Sequence, residues 1–287
     1  VTPGGSREPL CTRYDVALLD LDGVVYRGEE PVPGAAEAIA AARAAGMRVA
    51  FVTNNASRTP ATVATHLAAV GVPAAPEDVV TAAQAAATLL GTLVPAGSRV
   101  LVTGGEGLRV AVAEAGFSPV ASAGDGPAAV AQGYAPDLTY ADLAEATLAV
   151  RAGVVWVATN LDATIPTARG ELPGNGALVA LVTHAARGRR PDASAGKPER
   201  ALHDEAVRRS GAARPLVVGD RLDTDIEGAN RAGCDSLLVL TGVTDAAALR
   251  AAPPGRRPTY VARDLGALVL PYPPDDDLDD LRPGPPG

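Results

Sequence analysis

The sequence predicts an α/β protein built on a doubly wound parallel sheet, and three observations lead there. Short apolar runs alternate with helical segments: Val16–Leu19, Gly34–Ala45, Arg48–Val52 and Thr59–Gly71 follow one another, and the alternation resumes after residue 198. The runs lack the polar alternation of half-exposed strands, as strands covered on both faces do. The residues with chemical potential fall just past these runs, where open parallel sheets gather their ligands.

In chain order, residues 1–13 read as a loose arm, and Val16–Leu19 is a buried strand ending at Asp20. Gly34–Ala45 is a helix closed by Gly46, and Arg48–Val52 is the next strand. Thr59–Pro60 opens a helix with a cap followed by proline at the first turn, and that helix stops at Gly71. Ala82–Leu90 and Leu108–Ala115 read as helical, with Val100–Val102 extended between them. From about Val120 to His184 the order is harder to read, and Gly153–Thr159 is the clearest strand. Helix Glu199–Arg209, strand Leu216–Val218, helix Asp225–Ala232 and strand Leu237–Leu240 complete the alternation. The segment 271–287, with five aspartates, one arginine and six prolines, is expected to be disordered.

Composition narrows the function. The chain of 287 residues has 25 Lys+Arg against 33 Asp+Glu, a net charge of −8, so a basic stripe for duplex phosphates is not expected. Aromatics at 3% argue against stacking platforms for single strands, so nucleic acid is not an expected partner. Cys11 and Cys234 have no paired spacing, which suggests neither a disulfide framework nor a zinc cluster. No run approaches the ~18 apolar residues of a membrane span. The stretch Val1–Tyr14 has no apolar signal core, and a cytoplasmic location is expected.

Four places hold residues suited to chemistry. In Asp20-Leu21-Asp22-Gly23, carboxylates at i and i+2 of an extended chain face one side beside a glycine-loosened turn. Such a pair can divide nucleophilic attack from proton transfer, although DxDG alone equally suits a solvated turn. Val52-Thr53-Asn54-Asn55 offers a hydroxyl and backbone N–H groups for phosphate oxygens, or a plain turn cap. Gly196-Lys197-Pro198-Glu199 sets a lysine at a helix mouth, where a second positive charge reinforces anion binding. Gly219-Asp220-Arg221-Leu222-Asp223-Thr224-Asp225 places three carboxylates at the end of a buried strand, inviting a hard cation such as Mg²⁺. Thr224 and Glu227 also fit a capping box.

In this order, and through the strings LLDLDGVVYRG, FVTNNASRTP, ATNLDATIPTARGELPGNGALV, AGKPE and VVGDRLDTDIEGANRAG, the chain resembles the haloacid dehalogenase superfamily. Within it the chain is most similar to subclass IIA, the p-nitrophenylphosphatase-like and NagD-like phosphatases. The resemblance implies a Rossmann-like core, residues 14–81 and 188–270, interrupted by an inserted α/β cap at 82–187. It implies Asp20 as the nucleophile that forms an aspartyl-phosphate and Asp22 as general acid/base. Mg²⁺ would be held by the carboxylates of Asp20 and Asp220 and the backbone carbonyl of Asp22, with Asp225 orienting the metal's waters. Thr53 and the Asn54 amide would grip the phosphoryl group, and Lys197 would neutralise it. Asp223 has no clear place in that set.

The function implied is Mg²⁺-dependent hydrolysis of a small phosphorylated metabolite, with candidates from glycerol phosphate and phosphoglycolate to sugar phosphates and nucleoside monophosphates. An aspartate at position 22 favours a phosphatase or phosphomutase, since dehalogenases lack an acid/base there. Relatives that pair through their caps imply a homodimer. Within the cap, Asn160, Asp162 and Gly174-Asn175-Gly176 stand out, while Trp156, Tyr134 and Tyr140 read as core packing rather than pocket lining. Gly105-Glu106-Gly107 resembles the start of a dinucleotide fingerprint and supports a rival reading, a non-hydrolytic nucleotide-binding protein. Its third glycine would fall at Val110, so that motif is incomplete.

Overall fold

The computed structural model describes residues 4–167 and 169–272. β1 (Val16–Leu19) is buried along its whole length, and a small hairpin of β2 (Tyr26–Arg27) and β3 (Glu30–Pro31) follows. α1 (Ala35–Ala44) ends before Gly46, whose φ of +91° suits a residue without a Cβ. β4 (Arg48–Thr53) and α2 (Pro60–Ala69) come next, then β5 (Val79–Thr81), which runs into α3 (Ala82–Leu93). Thr81 and Gln84 form a reciprocal capping box there. The middle of the chain holds β6 (Arg99–Thr103), α4 (Glu106–Glu114), β7 (Ser118–Val120), β8 (Ala129–Gln132), α5 (Tyr140–Arg151) and β9 (Val155–Ala158). After it come β10 (Thr164–Thr167), β11 (Gly170–Pro173), α6 (Asn175–Ala185), β12 (Ala193–Ser194) and α7 (Arg200–Ser210). β13 (Pro215–Gly219), α8 (Glu227–Ala232), β14 (Asp235–Val239), α9 (Ala246–Arg250) and β15 (Tyr260–Ala262) complete the strands and α-helices of the described residues, and a 3-10 turn, Leu265–Leu268, follows.

Two sheets organise these elements. The larger has the order β15-β14-β13-β1-β4-β5. The chain starts at its centre, builds outward through β4 and β5, then returns to the other side of β1. The order therefore reverses between β1 and β13, which run parallel with Leu18 opposite Val217. Such a reversal leaves a crevice at the carboxyl ends of the strands, the usual ligand position of this architecture. The second sheet, β12-β9-β8-β6-β7, is parallel throughout. Its core gathers Leu101, Val130, Ala146, Val150, Val182 and the fully buried Trp156, whose indole N–H donates to Gln132 Oε1 at 3.1 Å.

The chain separates into two compact units. One comprises the described residues of Val1–Val52, Ala64–Val79 and Ala206–Gly287, and the other Thr53–Val63 with Val80–Glu205.

Several sequence expectations change. The arm is not loose over its described part: Gly4 N–H donates to Thr259 O, Ser6 and Tyr272 exchange backbone hydrogen bonds, and Leu10 is fully buried. Thr224 caps no helix, because a π-helical turn, Leu222–Ile226, leads into α8. Tyr140 is 84% exposed rather than core, since it begins α5 on the solvent side, and Tyr134 is half-buried. The expected disorder of 271–287 lies, from 273 onward, outside the described residues.

Candidate active site

The first unit assembles a carboxylate cluster across the reversal of its sheet. Asp20 follows β1 and Asp220 follows β13, so parallel pairing alone brings two residues 200 positions apart to one edge. Asp225 reaches the same point from the π-helical turn, and oxygens of Asp20, Asp220 and Asp225 lie within 4.8 Å of one another. Three carboxylate charges at that spacing would repel by at least roughly 3.5 kcal/mol per pair at an effective dielectric of about 20. Asp220 and Asp225 are each 1% exposed, so water does little to relieve this.

Glycines make the room. A Cβ on Gly23 would stand 2.5 Å from Asp220 Oδ2, one on Gly242 would stand 1.9 Å from the same oxygen, and one on Gly219 would stand 2.2 Å from Asp225 Cβ. No side chain fits at these three positions. Backbone N–H groups then orient the carboxylates: Val243 N–H donates to Asp220 Oδ2 at 2.7 Å, and Arg221 N–H donates to Asp225 Oδ2 at 3.1 Å. The loop 241–244 lies outside the four places the sequence singles out. Its signal was available, a Thr-Gly pair directly after an apolar strand.

The donor set suits a hard divalent cation: carboxylate oxygens only, clustered where a magnesium ion with its retained waters is bound by few protein ligands. Asp223 stands outside this cluster. Arg221 holds it in a two-pronged pair, Nε to Oδ1 at 3.1 Å and Nη2 to Oδ2 at 3.0 Å. Burial pulls the Asp223 carboxyl upward, but the guanidinium outweighs it and keeps the carboxyl below its ordinary range.

Asp22 sits on the turn that follows β1. That turn is closed by Val25 N–H to Leu21 O at 2.9 Å and Gly23 N–H to Tyr26 O at 2.7 Å. The regular strand has already ended at Leu19, yet the alternation of sides persists, with Leu21 buried between a half-buried Asp20 and an exposed Asp22. Thr241 Oγ1 donates to Gly23 O at 2.6 Å, and Arg27 Nη2 donates to Thr241 O, fixing the turn to the loop after β14.

The second unit holds Thr53, Asn54 and Lys197. Thr53 is the last residue of β4, and its Oγ1 accepts the Asn55 N–H at 3.1 Å. The Asn54 side chain is committed to Lys197 and Asp162: its Oδ1 accepts Lys197 N–H at 2.8 Å, while its Nδ2 donates to Lys197 O and to Asp162 Oδ2. The Asn54 group suited to a phosphoryl oxygen is therefore its backbone N–H. Lys197 is 4% exposed, a burial in which an ammonium attracts an anionic partner more strongly than in water.

Gly105-Glu106-Gly107 has a structural explanation. Gly107 N–H donates to Ser57 O at 3.0 Å, and a Cβ on Gly107 would stand 2.3 Å from Arg58 O. The mouth of α4 is filled by the chain's own backbone, where a dinucleotide's phosphates would have to lie.

Known proteins match this arrangement. A family model of haloacid dehalogenase-like hydrolases matches residues 17–118, and a second HAD-hydrolase-like model matches 194–268. The D-glycerol 3-phosphate phosphatase of Mycobacterium tuberculosis is 51% identical over 259 residues, 90% of this chain and 72% of that protein. A 5'-nucleotidase of Bacillus subtilis is 40% identical over 233 residues, 80% of this chain and 89% of that protein. The crystal structure of a glycerol phosphate phosphatase from Mycobacterium tuberculosis in complex with magnesium shares the fold at a TM-score of 0.87. It is 50% identical, covering 91% of this chain and 78% of that one.

Proposed function

The chain belongs to the haloacid dehalogenase-like hydrolases, and from that premise we propose how its residues divide the work of a Mg²⁺-dependent phosphatase. It hydrolyses phosphomonoesters of small metabolites through an aspartyl-phosphate, and its cofactor is Mg²⁺. The observation that carries the division of roles is the convergence of Asp20, Asp220 and Asp225.

Asp20 is the nucleophile. Its carboxylate oxygen bonds to phosphorus as the ester oxygen leaves, and Asp22 gives that oxygen a proton. Asp22 then takes a proton from water as the water oxygen attacks the acyl phosphate, releasing orthophosphate and restoring Asp20. Asp20, Asp220 and the Asp22 carbonyl would hold Mg²⁺, which when bound neutralises charge on the transferring phosphoryl group. Asp225, within reach of the same point, would orient waters on a bound metal. Thr53 Oγ1, the Asn54 N–H and the Lys197 ammonium hold the phosphoryl oxygens, stabilising charge rather than supplying covalent chemistry.

Residues 14–81 and 188–270 form the proposed catalytic core and 82–187 the proposed cap. The compact unit that contains 82–187 also takes in Thr53–Val63 and residues 188–205 of that core. Glycerol 3-phosphate is the favoured substrate, supported by the phosphatase of that specificity among the relatives. A cytoplasmic homodimer is the proposed state: the family resemblance supports pairing, and the thiols of Cys11 and Cys234 suit a reducing compartment.

The test is orthophosphate release from glycerol 3-phosphate and p-nitrophenyl phosphate with and without MgCl₂, repeated with Asp20→Asn. Mg²⁺-dependent release that the variant loses by at least about 10³-fold supports the assignment, by analogy with removing other covalent nucleophiles. Turnover retained in Asp20→Asn rejects it. A phosphorylated isomer in place of free phosphate would make the protein a phosphomutase.

A further inference from the structure

The second unit contains a closed hydrogen-bond circuit that the proposed chemistry leaves unused. Asn54 Nδ2 donates to Asp162 Oδ2 at 3.0 Å, Asp162 N–H donates to Asn160 Oδ1 at 3.2 Å, and Asn160 Nδ2 donates back to Asn54 O at 2.8 Å. From this circuit Asn54 meets Lys197 with both ends of its carboxamide, accepting Lys197 N–H at 2.8 Å and donating to Lys197 O at 3.1 Å. A side chain thus makes the paired bonds that a neighbouring strand would make.

Only one orientation of the carboxamide works. Turned by half a rotation, its oxygen would face the Asp162 carboxylate and the Lys197 carbonyl, two acceptors. Asp162 selects the productive orientation, and Asn160 anchors the Asn54 backbone. The fit leaves no slack at Gly196, where a Cβ would stand 2.7 Å from both Asn54 Oδ1 and Asn160 Cβ. Asn160 is 6% exposed, and hydrogen bonds lost from such surroundings are costly.

We propose that Asp162 and Asn160 are positioning residues that lock the Asn54 carboxamide and, through it, the backbone of Lys197, so that its ammonium is set to bind phosphate. This rests on the proposed role of Lys197, and the test separates the two. Inorganic phosphate is titrated calorimetrically into the full chain with Mg²⁺, comparing Asp162→Ala, Asp162→Asn, Lys197→Ala and the double variant. Asp162→Ala is expected to weaken phosphate binding about tenfold, the effect of losing one hydrogen bond to a charged acceptor. Asp162→Asn keeps an oxygen acceptor and should recover to within about threefold. On the Lys197→Ala background, Asp162→Ala should add less than about twofold, since coupled residues are not additive.

Wild-type affinity in Asp162→Ala, or an equal loss with and without the lysine, overturns the positioning role alone. Wild-type affinity in Lys197→Ala overturns the lysine assignment and the positioning role with it. Should Asp162→Ala fail to fold, Asn160→Ala cuts the same circuit and is expected to weaken phosphate binding several-fold; wild-type affinity there is equally decisive against the proposal.

Discussion

Replacing Gly242 by alanine isolates the geometry of the carboxylate cluster from the stability of the fold. The added Cβ would stand 1.9 Å from Asp220 Oδ2 and 2.4 Å from its Cγ, where ordinary contact begins at 3.4 Å. Gly242 does not occupy the left-handed region, so alanine brings no backbone strain of its own, and the collision falls on the carboxylate. Asp220 must turn away, which breaks the 2.7 Å hydrogen bond from Val243 N–H. A hydrogen bond to a charged group is worth about 1.5–3 kcal/mol, or roughly 10–100-fold in an equilibrium constant. The Mg²⁺ concentration for half-maximal phosphate release should rise by that factor, and calorimetric Mg²⁺ affinity should fall with it. Gly255→Ala serves as the control, because nothing lies within 4 Å of its added Cβ. A Gly242→Ala protein with the wild-type Mg²⁺ dependence would refute the view that Asp220 needs this glycine's space to hold the metal.

Three further outcomes follow from the same structure. Asp225→Asn should weaken Mg²⁺ dependence about tenfold, whereas Asp223→Asn should leave it within about twofold, because only Asp225 belongs to the cluster; Mg²⁺ titrations of activity distinguish them. Gly107→Ala should destabilise the protein by about 1–3 kcal/mol through overpacking, since its Cβ would meet the Arg58 carbonyl at 2.3 Å, and urea unfolding measures it. For Asp15, burial raises the carboxyl's pKa, but the N–H groups of Ala213 and Arg214 and the Arg48 guanidinium more than reverse this and hold it below 3.8. The stabilisation this supplies is fully present above the unfolded value and is lost as pH falls through the folded one. Asp15→Asn should therefore lower the Tm at pH 7, and the gap should narrow as pH falls through the carboxyl's lowered folded-state pKa; a gap independent of pH would count against this account.

Much of the proposed catalytic set is legible in the sequence alone. Asp20, Asp220 and Asp225 stood out because the ends of apolar runs are where parallel sheets expose chemistry, and that rule needs only local sequence. Lys197 and Thr53 were visible for the same reason, one at a helix mouth and one after a strand. The long middle of the chain resists reading because its many alanines suit either face of a helix, so α5 carries no clear period, and the exposed strand β11 has no buried face to give one.

Outside residues 120–184, local sequence suffices to place most strands and helices and the residue types at their ends, because propensity, capping and hydrophobic runs act over a few neighbours. The remainder is set by packing. That β13 lies beside β1 makes neighbours of residues 200 positions apart, and no local preference encodes a pairing across that distance. The clearances at Gly23, Gly219 and Gly242 and the Asn54–Asp162–Asn160 circuit arise the same way. Each depends on the close approach of segments distant in the chain, and only packing sets that distance.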